Sequence, residues 1–552
     1  MMFTACLAAL ITTPGGDPVG PPAPSWRPAA FHAVAYVNDS RSHGLVGDAL
    51  LSVNEAIRLH NGTLPFASLS LAEANQLSLI PGTGSTTDVT WIDIDGTSTP
   101  IITVEQDLDP IADTTYGCLI KGFNDPPVFD FSGANITHGF RVPANSANFE
   151  DLILSGGPYG IDVTQSDAAG QVGVALDNVT FDGQAQFGMR VTGTLAAGIG
   201  RVVIGNCRFT NLPTAVIHRE LPNDRTTIFE AFDVVMDNVV DGYDCELGPG
   251  GTARFTFDRQ NLEVTGRAIY LQRATGANRT TLVEGTHVRI RGARGLDIST
   301  NASALTQLGL RMLDLDCSVL SLNTGSSQVF GSIEDCAITG STSLFTGTQA
   351  APLQVRNVQF RGGNFVTPGT FSLQGLELDD SRFVGVSMLT AGTTPWTARN
   401  CSFENCTFPF PVNPSIVCDG CYLPNPPASF VVTNPRAAPH LGSMNIQPES
   451  VSVGSTVNLV ADLPAGLFGV FVLGFTDPFP QLLPAPLHVY TMPSLTFVLP
   501  GVYRFQQSYA WAVPNSFAFV GFDLCAQIAV LPDPNVSAPP IHFPPGRRFV
   551  LH

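Results

Sequence analysis

A six-residue pattern of polar and apolar positions recurs along the middle of the chain. Each copy has Asn or Asp (once His), an apolar residue, any residue, a second apolar residue, any residue, and Gly or Asn. Clear copies begin at residues 151, 178, 206, 261, 287, 335, 357, 380 and 400, and looser ones at Asn238, Asp316 and Gly420. The alternation predicts a short strand with every second side chain inward, followed by a turn where Gly or Asn accepts a positive φ.

The copies follow one another at intervals of about 19 to 32 residues. A three-residue strand cannot bury its apolar face alone, so the copies must stack in register and share one interior. Val, Ile, Phe and Thr dominate, which argues against helical repeats, and the multi-leucine signature of leucine-rich repeats is absent. The fold class is therefore all-β, and the expected architecture is a right-handed parallel β-helix.

The same pattern explains most of the cysteines. The first inward position holds Leu or Val in several copies, including Leu152, Val179, Leu262, Val288 and Val358, and Cys in five: Cys207, Cys317, Cys336, Cys401 and Cys421. A column of buried thiols acting as small apolar groups is one interpretation. A disulfide clasp near the last coil is another, and a third is a zinc site, because four cysteines have ligand-like spacing: Cys401, Cys406, Cys418 and Cys421. We expect the Asn or Asp position to form a ladder of side-chain-to-backbone bonds at the turns.

An amphipathic segment at residues 50–62 predicts a helical cap at the N-terminal end of the stack. Ser52 and Glu55 form a capping box, and the segment has apolar residues on one face. A second short helix is expected from Ser70 and Glu73 to near Pro81. Caps of this kind prevent a solenoid from pairing end to end with another sheet edge.

Proline-rich stretches divide the chain into domains. Residues 1–28 are a signal-like apolar segment and a Pro/Gly linker, 29–425 the β-helix and 426–439 a second linker. Residues 440–532 contain several apolar strands between turns, which predicts a small C-terminal β-sandwich, and 533–552 form a Pro-rich tail. No apolar run is long enough for a transmembrane helix. Because residues 1–12 resemble the apolar core of a signal peptide, we expect a secreted or cell-surface protein.

Charge narrows the choice of partner. The formal net charge is −19 and only 13% of residues are charged. A chain this acidic is repelled by nucleic acid and by anionic membranes. We therefore expect no nucleic-acid partner, and a polysaccharide or a cell-envelope glycan is the predicted one.

The segments Tyr36–Asp39, Leu51–Ile57, Leu108–Ile111 and Leu119–Gly122 together resemble the N-terminal region of secreted bacterial β-helix proteins of the CSLREA type. The motif aligns with residues 51–56, with Leu51 in place of its Cys and Asn54 in place of its Arg. The resemblance covers roughly residues 34–160. It implies an exported protein of the pectin-lyase-like fold and no shared catalytic residues. Residues 513–527 are similar to C-terminal accessory modules of large secreted bacterial proteins, to which no activity is attached.

The repeat also predicts which charged side chains point outward on neighbouring coils. Five of them could line a groove for an acidic polymer: Asp182, Arg208, Glu263, Arg289 and Arg291. The alternative is a solvated face of alternating charge. Residues 213–248 look like a long excursion between coils, and Asp237, Asp241 and Asp244 within it suggest calcium, although no calcium-loop motif is present.

The residues single out no catalytic constellation and require no cofactor. Lys121 is the one lysine of the chain and a poor candidate for the base of a lyase. The first hypothesis is an exported, non-catalytic β-helix protein that acts as a scaffold, adhesin or glycan-binding protein. The second is a polysaccharide lyase or glycoside hydrolase on the same fold, which would need clustered acids in an outward groove.

Overall fold

The computed structural model describes residues 33–551 apart from 45, 80–88, 113–116, 144–146, 166–170, 194–198, 221–225, 249–250, 274–278, 301–303, 312, 324–327, 346–348, 367–375, 390–395, 409–415, 440, 442, 448–450, 464–466, 483–487, 499–506, 517–522 and 533–546. The signal-like segment at residues 1–28 lies outside these ranges, as does most of the predicted tail.

Residues 33–433 form a parallel β-solenoid, which confirms the predicted fold class. The first half contains the strands Ala33–Val37, Leu77–Leu79, Val89–Asp95, Ile101–Thr103, Cys118–Phe123, Val128–Asp130, Phe140–Val142, Ala147–Ser155, Tyr159–Gln165, Gln171–Asp182, Phe187–Gly193, Ile199–Gly205, Arg208–Glu220, Thr226–Leu247 and Ala253–Val264. The second half contains Arg267–Arg273, Arg279–Gly292, Arg294–Thr300, Ala304–Arg311, Asp314–Asn323, Gln328–Glu334, Ala337–Phe345, Gln349–Arg356, Gln359–Arg361, Asn364–Val366, Leu376–Asp379, Arg382–Val384, Ser387–Leu389, Trp396–Arg399, Ser402–Glu404, Ile416–Asp419 and Phe430–Thr433.

The strands stack into three parallel ladders that run along the solenoid. The first ladder extends from Ala33–Val37 to Phe430–Thr433. The second extends from Ile101–Thr103 to Ser402–Glu404, and the third from Phe140–Val142 to Ser387–Leu389. Several long strands turn a corner and belong to two ladders, as Arg208–Glu220 does. The last strand of the first ladder falls within the segment predicted as a linker, so the solenoid continues beyond residue 425.

Residues with a left-handed backbone make the corner between the first and second ladders. Asp151, Asn178, Asn357 and Asn400 all have φ between 49° and 55°, and Gly420 takes the same corner in the last coil. Asn178 Nδ2 donates to Asp151 Oδ1 at 2.8 Å, one coil away. The predicted ladder consists of side-chain-to-backbone bonds, whereas this bond joins side chains of successive coils. Asn is suited to the corner because it tolerates the left-handed region and adds this bond.

The register corrects three assignments that the repeat suggested. Arg259, not Asn261, takes the left-handed corner of its coil, so Gln260 and not Leu262 fills the first inward position. Cys317 pairs with Gly292 at the next corner, and Leu313 fills the inward position of that coil. All three errors arise because corner lengths differ between coils. The residue assigned to the first inward position then lies two positions too late at Leu262 and four too late at Cys317.

The interior consists of columns of stacked side chains. One column inside the second ladder contains Phe181, Phe209, Met236, Leu262, Ile290, Leu315, Ile338, Phe360, Phe383 and Phe403. The ring centre of Phe383 lies 4.8 Å from that of Phe360 and 4.9 Å from that of Phe403, and the three rings are nearly parallel. The described cysteines are thiols and nearly all are buried, in agreement with the interpretation that they are small apolar core residues.

The N-terminal end is capped as predicted. The helices α1 (Val53–His60) and α2 (Leu71–Ala74) each begin at a complete capping box, with Ser52 and Glu55 for the first and Ser70 and Glu73 for the second. The second helix ends at residue 74, well before Pro81, and a single 3₁₀ turn (Phe66–Ser68) separates the two. The antiparallel strand Leu77–Leu79 pairs with Ala33–Val37 and covers that edge of the first ladder.

The C-terminal region contains two antiparallel sheets. The strands Ser443–Gln447, Thr456–Asp462 and Gln507–Ala512 form one. The strands Leu467–Leu482, His488–Val498, Asp523–Pro532 and Arg547–Val550 form the other. A separate buried cluster joins them, with Leu459, Phe471 and Ile528 among its members. The strand Arg547–Val550 lies within the segment predicted as a tail and makes the edge of the second sheet. The sandwich arrangement of the two sheets stays a prediction.

Candidate functional site

The outward face of the third ladder carries a compact group of aromatic and charged side chains. We call it the third-ladder surface; its residues are Tyr159, Asp162, Phe187, Arg190, Arg219, Asp241, Asp244, Glu246, Arg267 and Tyr270. They fall on successive coils, from Tyr159–Gln165 to Arg267–Arg273. Met189, Val216 and Leu271 of these strands are buried in the core, and the strand period therefore turns Arg190, Arg219 and Tyr270 outward.

One end of this surface is an aromatic pair with an arginine above it. The rings of Tyr159 and Phe187 stack at 4.3 Å with 19° between their planes. The guanidinium carbon of Arg190 lies 5.4 Å from the first ring and 5.1 Å from the second. Asp162 holds this arginine with two bonds, at 2.9 Å to Nε and 2.5 Å to Nη2. The carboxylate therefore fixes the guanidinium over the rings, which favours a cation–π contact.

The other end of the third-ladder surface also has an arginine over an aromatic ring. The guanidinium of Arg267 lies 4.2 Å from the ring centre of Tyr270. Its backbone N–H donates to Asp241 Oδ1 at 2.7 Å, and its Nε is 3.8 Å from the same oxygen. The Tyr270 hydroxyl donates to Gln272 Oε1 at 2.5 Å. Burial raises the pKa of Tyr270, so this side chain is a neutral hydroxyl with an apolar ring.

Asp244 lies between two arginines in the middle of the surface. Its Oδ2 is 3.7 Å from Arg219 Nη2 and 3.9 Å from Arg267 Nη2. Its Oδ1 is buried and accepts no hydrogen bond from the described residues. Burial raises the pKa of Asp244, and the nearby carboxylates of Glu246 and Asp241 raise it further against the opposing effect of the two arginines. A carboxyl group held in this way is a candidate for proton donation.

These groups together suit a ligand with apolar faces and many hydroxyls. The half-buried rings of Tyr159 and Tyr270 offer apolar area, whereas Phe187 is only 6% exposed and packs against Tyr159. The arginines offer N–H donors and the carboxylates offer acceptors. The described residues contain no group of three or more His, Cys, Asp or Glu arranged to hold a metal ion. Arg219 Nε is 3.5 Å from Glu246 Oε2, so this carboxylate too faces a guanidinium.

The calcium candidates are distributed over two ladders. Asp237 ends a second-ladder pairing with Thr210, whereas Asp241 and Asp244 belong to the third ladder. Asp237 Oδ2 lies 3.5 Å from Arg208 Nη2. Residues 213–220 and 226–247 are regular strands, so the supposed excursion is two ordinary coils, joined by residues outside the described ranges. The calcium hypothesis gains no support from this placement.

The five predicted groove residues do share one face, the outward face of the second ladder. Asp182 accepts hydrogen bonds from Thr210 Oγ1 at 2.9 Å and from Asn211 Nδ2 at 2.7 Å. Arg208 and Glu263 are exposed. Arg289 is only 8% exposed, and Arg291 Nη2 donates to Asp314 Oδ2 at 3.2 Å. These two arginines are thus engaged within the protein.

The C-terminal region covers part of that face, which the sequence did not indicate. Arg547 donates to Asp314 Oδ1. Asp462 Oδ2 lies 3.1 Å from Arg382 Nη1 and 3.4 Å from Arg361 Nη2. Exposed side chains of the second ladder include Arg208, Glu263 and Asp316. Lys121 is likewise engaged, because its Nζ donates to Glu150 at 2.9 Å. Burial lowers the pKa of Lys121, but this bond and the negative charges of Glu150 and Asp151 together raise it above its ordinary value.

Sequence reasoning missed Tyr159, Phe187, Arg190, Arg267 and Tyr270. The six-residue motif covers the second ladder, whereas the third ladder follows each copy at a distance that depends on the corner. A search for aromatic residues five or six positions after each motif's last apolar residue could have found Tyr159, Phe187 and Tyr270.

Comparison with known proteins leaves the family open. No protein-family model and no curated protein matches the sequence. The CSLREA resemblance accordingly stays a prediction. Among solved structures, the chain is similar to the tailspike protein gp49 of the Acinetobacter baumannii bacteriophage Fri1, a capsular polysaccharide depolymerase. The identity is 10%, the alignment covers 82% of this chain and 81% of that one, and the TM-score is 0.20, which assigns neither a family nor a function. No helix within the described ranges has the length and apolarity of a membrane span.

Proposed function

We propose that this protein is an extracellular glycan-binding β-solenoid that holds a neutral, hydroxyl-rich polysaccharide along its third-ladder surface. The single observation that carries the proposal is the pair of aromatic–arginine stacks, Tyr159–Phe187 with Arg190 and Tyr270 with Arg267. Three coils separate them, which is roughly 14 Å at the spacing of neighbouring strands. Two rigid apolar platforms at this separation suit an extended chain better than a compact molecule.

The preference for a neutral glycan follows from the pairing of the charges. Arg190 is bound to Asp162, and Arg219 and Arg267 face Asp244. An anionic polymer would have to displace these carboxylates, whereas hydroxyl groups can donate to the acids and accept from the arginines without breaking the pairs. The net charge of −19 adds repulsion toward an anionic chain.

Affinity electrophoresis of the full chain in gels containing neutral or acidic polysaccharides tests the proposal. We expect retardation by at least one neutral polysaccharide, with little change between low and high salt because no net charge is neutralised. Tyr270→Ala should weaken binding about fivefold to tenfold through loss of its stacking contact. Tyr36→Ala is the matched control, because Tyr36 is 40% exposed at the cap, remote from this surface. Binding that is equal in both variants, or confined to acidic polymers, would contradict the proposal.

A second function, hydrolysis of the bound glycan, is favoured by Asp244. Glycosidases pair a carboxyl group of raised pKa with an ionised carboxylate. The raised pKa of Asp244, its buried Oδ1 and the neighbouring carboxylates of Glu246 and Asp241 meet the first condition. New reducing ends on incubation, abolished by Asp244→Asn while binding persists, would establish hydrolysis. Binding without new ends leaves the non-catalytic function, and unsaturated products would instead indicate a lyase.

A further inference from the structure

The last two coils of the solenoid place cysteines at the same inward position. Cys401 and Cys421 each follow the left-handed corner residue of their coil, Asn400 and Gly420. The bridge between Ser402 and Tyr422 sets the two coils in parallel register one residue later. The Cys401 N–H donates to Cys421 Sγ at 3.3 Å, and the two thiols are in contact. In no other pair of neighbouring coils does the register place two described cysteines in this column.

The spacing of the coils suits a covalent bond. Neighbouring strands lie about 4.8 Å apart, and disulfides span Cα separations of about 4.4–6.8 Å. The two side chains also have equivalent orientations, because Cys401 Sγ lies 3.4 Å from Arg399 O and Cys421 Sγ 3.5 Å from Asp419 O. A side-chain rotation within the stack can therefore bring the sulfurs together without moving a strand.

We propose that Cys401 and Cys421 form a disulfide under oxidising conditions and so clasp the last coil to the one before it. With glutathione disulfide as oxidant, the two thiols lose two protons and two electrons, one protein S–S bond forms, the glutathione S–S bond breaks and two glutathione molecules leave. Burial raises the pKa of Cys401, so the exchange occurs while the last coil is open.

At this position, a disulfide between Cys401 and Cys421 would stabilise the C-terminal end of the solenoid. The last coils are the C-terminal end of the solenoid, where a ladder frays first. Across this end the strand Phe430–Thr433 pairs with Ile416–Asp419. Arg436 adds two hydrogen bonds, from its N–H to Cys421 O at 2.9 Å and from its Nη2 to Asn400 Oδ1 at 3.1 Å. A covalent link between coils 20 residues apart would oppose that fraying.

Cys418 is the competing partner. It lies in the same coil as Cys421, in a Cys-x-x-Cys arrangement, and its thiol also contacts that of Cys421. The in-register position of Cys401 and its backbone bond to Cys421 Sγ favour the link between coils. The experiment must therefore distinguish the two pairings as well as detect oxidation.

Peptide mapping of the full chain makes this distinction. The protein, purified in reductant, is refolded in a glutathione redox buffer, alkylated, and cleaved with trypsin and a protease that cuts after Asp and Glu. Cuts after Glu404 and Asp419 place Cys401 in peptide 400–404, Cys406 and Cys418 in 405–419, and Cys421 in 420–436. We expect the loss of two thiols per chain and a reducible link between 400–404 and 420–436. A link between 405–419 and 420–436, or retention of every thiol, would overturn the proposal.

Matched controls are present in the chain. Cys207 and Cys336 occupy the same column beside apolar neighbours and should remain alkylated as thiols. Cys401→Ser should fold, because Ser381 fills this position in the preceding coil and is fully buried there. That variant should lose the link and should be degraded faster at its C-terminal coils in limited proteolysis of the oxidised protein. Equal degradation of the oxidised variant and the oxidised wild type would argue against a clasp.

Discussion

Arg547, five residues from the end of the chain, donates a hydrogen bond to Asp314, which lies 233 residues earlier in the solenoid. The contact is largely shielded from solvent, because the side chains of Arg547 and Asp314 are only 11% and 12% exposed. Asp462, on the other C-terminal sheet, reaches Arg382 and Arg361 on the same face. Each sheet of the C-terminal region thus has its own ion pair with the second ladder.

Asp314→Ala tests this contact by removing the acid between two arginines. The guanidinium groups of Arg547 and Arg291 would stay partly buried without their carboxylate, which should cost about 3 kcal/mol of unfolding free energy. Urea denaturation followed by fluorescence measures the loss. Asp316→Ala is the control on the same strand, because its side chain is 52% exposed, and it should change stability by less than about 0.5 kcal/mol. Equal effects would show that the buried pair does not hold the region.

Asp314 also predicts how the free energy of unfolding depends on pH. Burial would raise the pKa of Asp314, but Arg547, Arg291 and Arg289 together lower it below its ordinary value. The ionised form is therefore favoured by folding, and its contribution is present above the unfolded-state pKa of about 3.9 and is lost as pH falls through the lower folded pKa. The stability advantage of wild type over Asp314→Asn should be constant near neutral pH and shrink below about pH 4. An advantage that declines between pH 6 and 8 would contradict this sign.

Asp244 predicts the opposite dependence of stability on pH from that of Asp314. Because its folded-state pKa is raised, chiefly by burial, the ionised form opposes folding at neutral pH. Asp244→Asn should therefore raise the unfolding midpoint at pH 7, and this gain should vanish as pH falls below about 4. Thermal unfolding across the pH range measures it. Asp237→Asn, an exposed acid on the same strand, should leave the midpoint unchanged. A lower midpoint for Asp244→Asn would show that its arginine contacts outweigh its burial.

The left-handed corner at Asn357 predicts different losses of stability for two substitutions of this residue. Asn357 has φ 49° and donates Nδ2 to Asp335 Oδ1 at 2.8 Å in a buried setting. Asn357→Ala loses the bond and must hold a left-handed backbone, which should cost about 2–3 kcal/mol. Asn357→Gly loses only the bond, so about 1 kcal/mol is expected. Chemical denaturation of both variants checks the difference, and equal losses would show that backbone strain plays no part.

The stacked phenylalanines predict how the core tolerates truncation. Phe383 is fully buried between the rings of Phe360 and Phe403. Phe383→Ala should leave a cavity and cost about 3–5 kcal/mol. Phe383→Leu should cost much less, because Leu262 and Leu315 fill the same column in other coils. Denaturation midpoints of the two variants provide the test, and similar losses would mean that ring stacking, not volume, stabilises the column.

Local patterns predicted much of this fold because a solenoid is built from contacts between neighbouring coils. Alternation within the six-residue motif was enough to predict the strands, their inward residues and the left-handed corners at Asn178, Asn357 and Asn400. The capping boxes at Ser52 and Ser70 are equally local, and both are formed. Where the prediction failed, at Leu262 and Cys317, the motif recurred out of phase with the corner.

The candidate site could not be predicted in the same way. The five groove residues lie on one face of the second ladder, but the sequence did not show that Arg289 is buried there or that Arg547 of the C-terminal region contacts Asp314 beside it. Nor did it bring Tyr159 beside Phe187, 28 residues later, or Arg267 beside Asp244, 23 residues earlier. Such pairs depend on the register between coils, which every intervening corner changes.

The sequence by itself determined the strands, the corners, the cap and the apolar interior, because each of these depends on residues a few positions apart. Tertiary structure alone decided which outward columns meet on the third ladder and which face the C-terminal region buries. The physical reason is that side chains alternate with a period of two, so one residue more or less at a corner moves a side chain from the core to the surface. That choice is settled only when the coils stack and exclude water from one face.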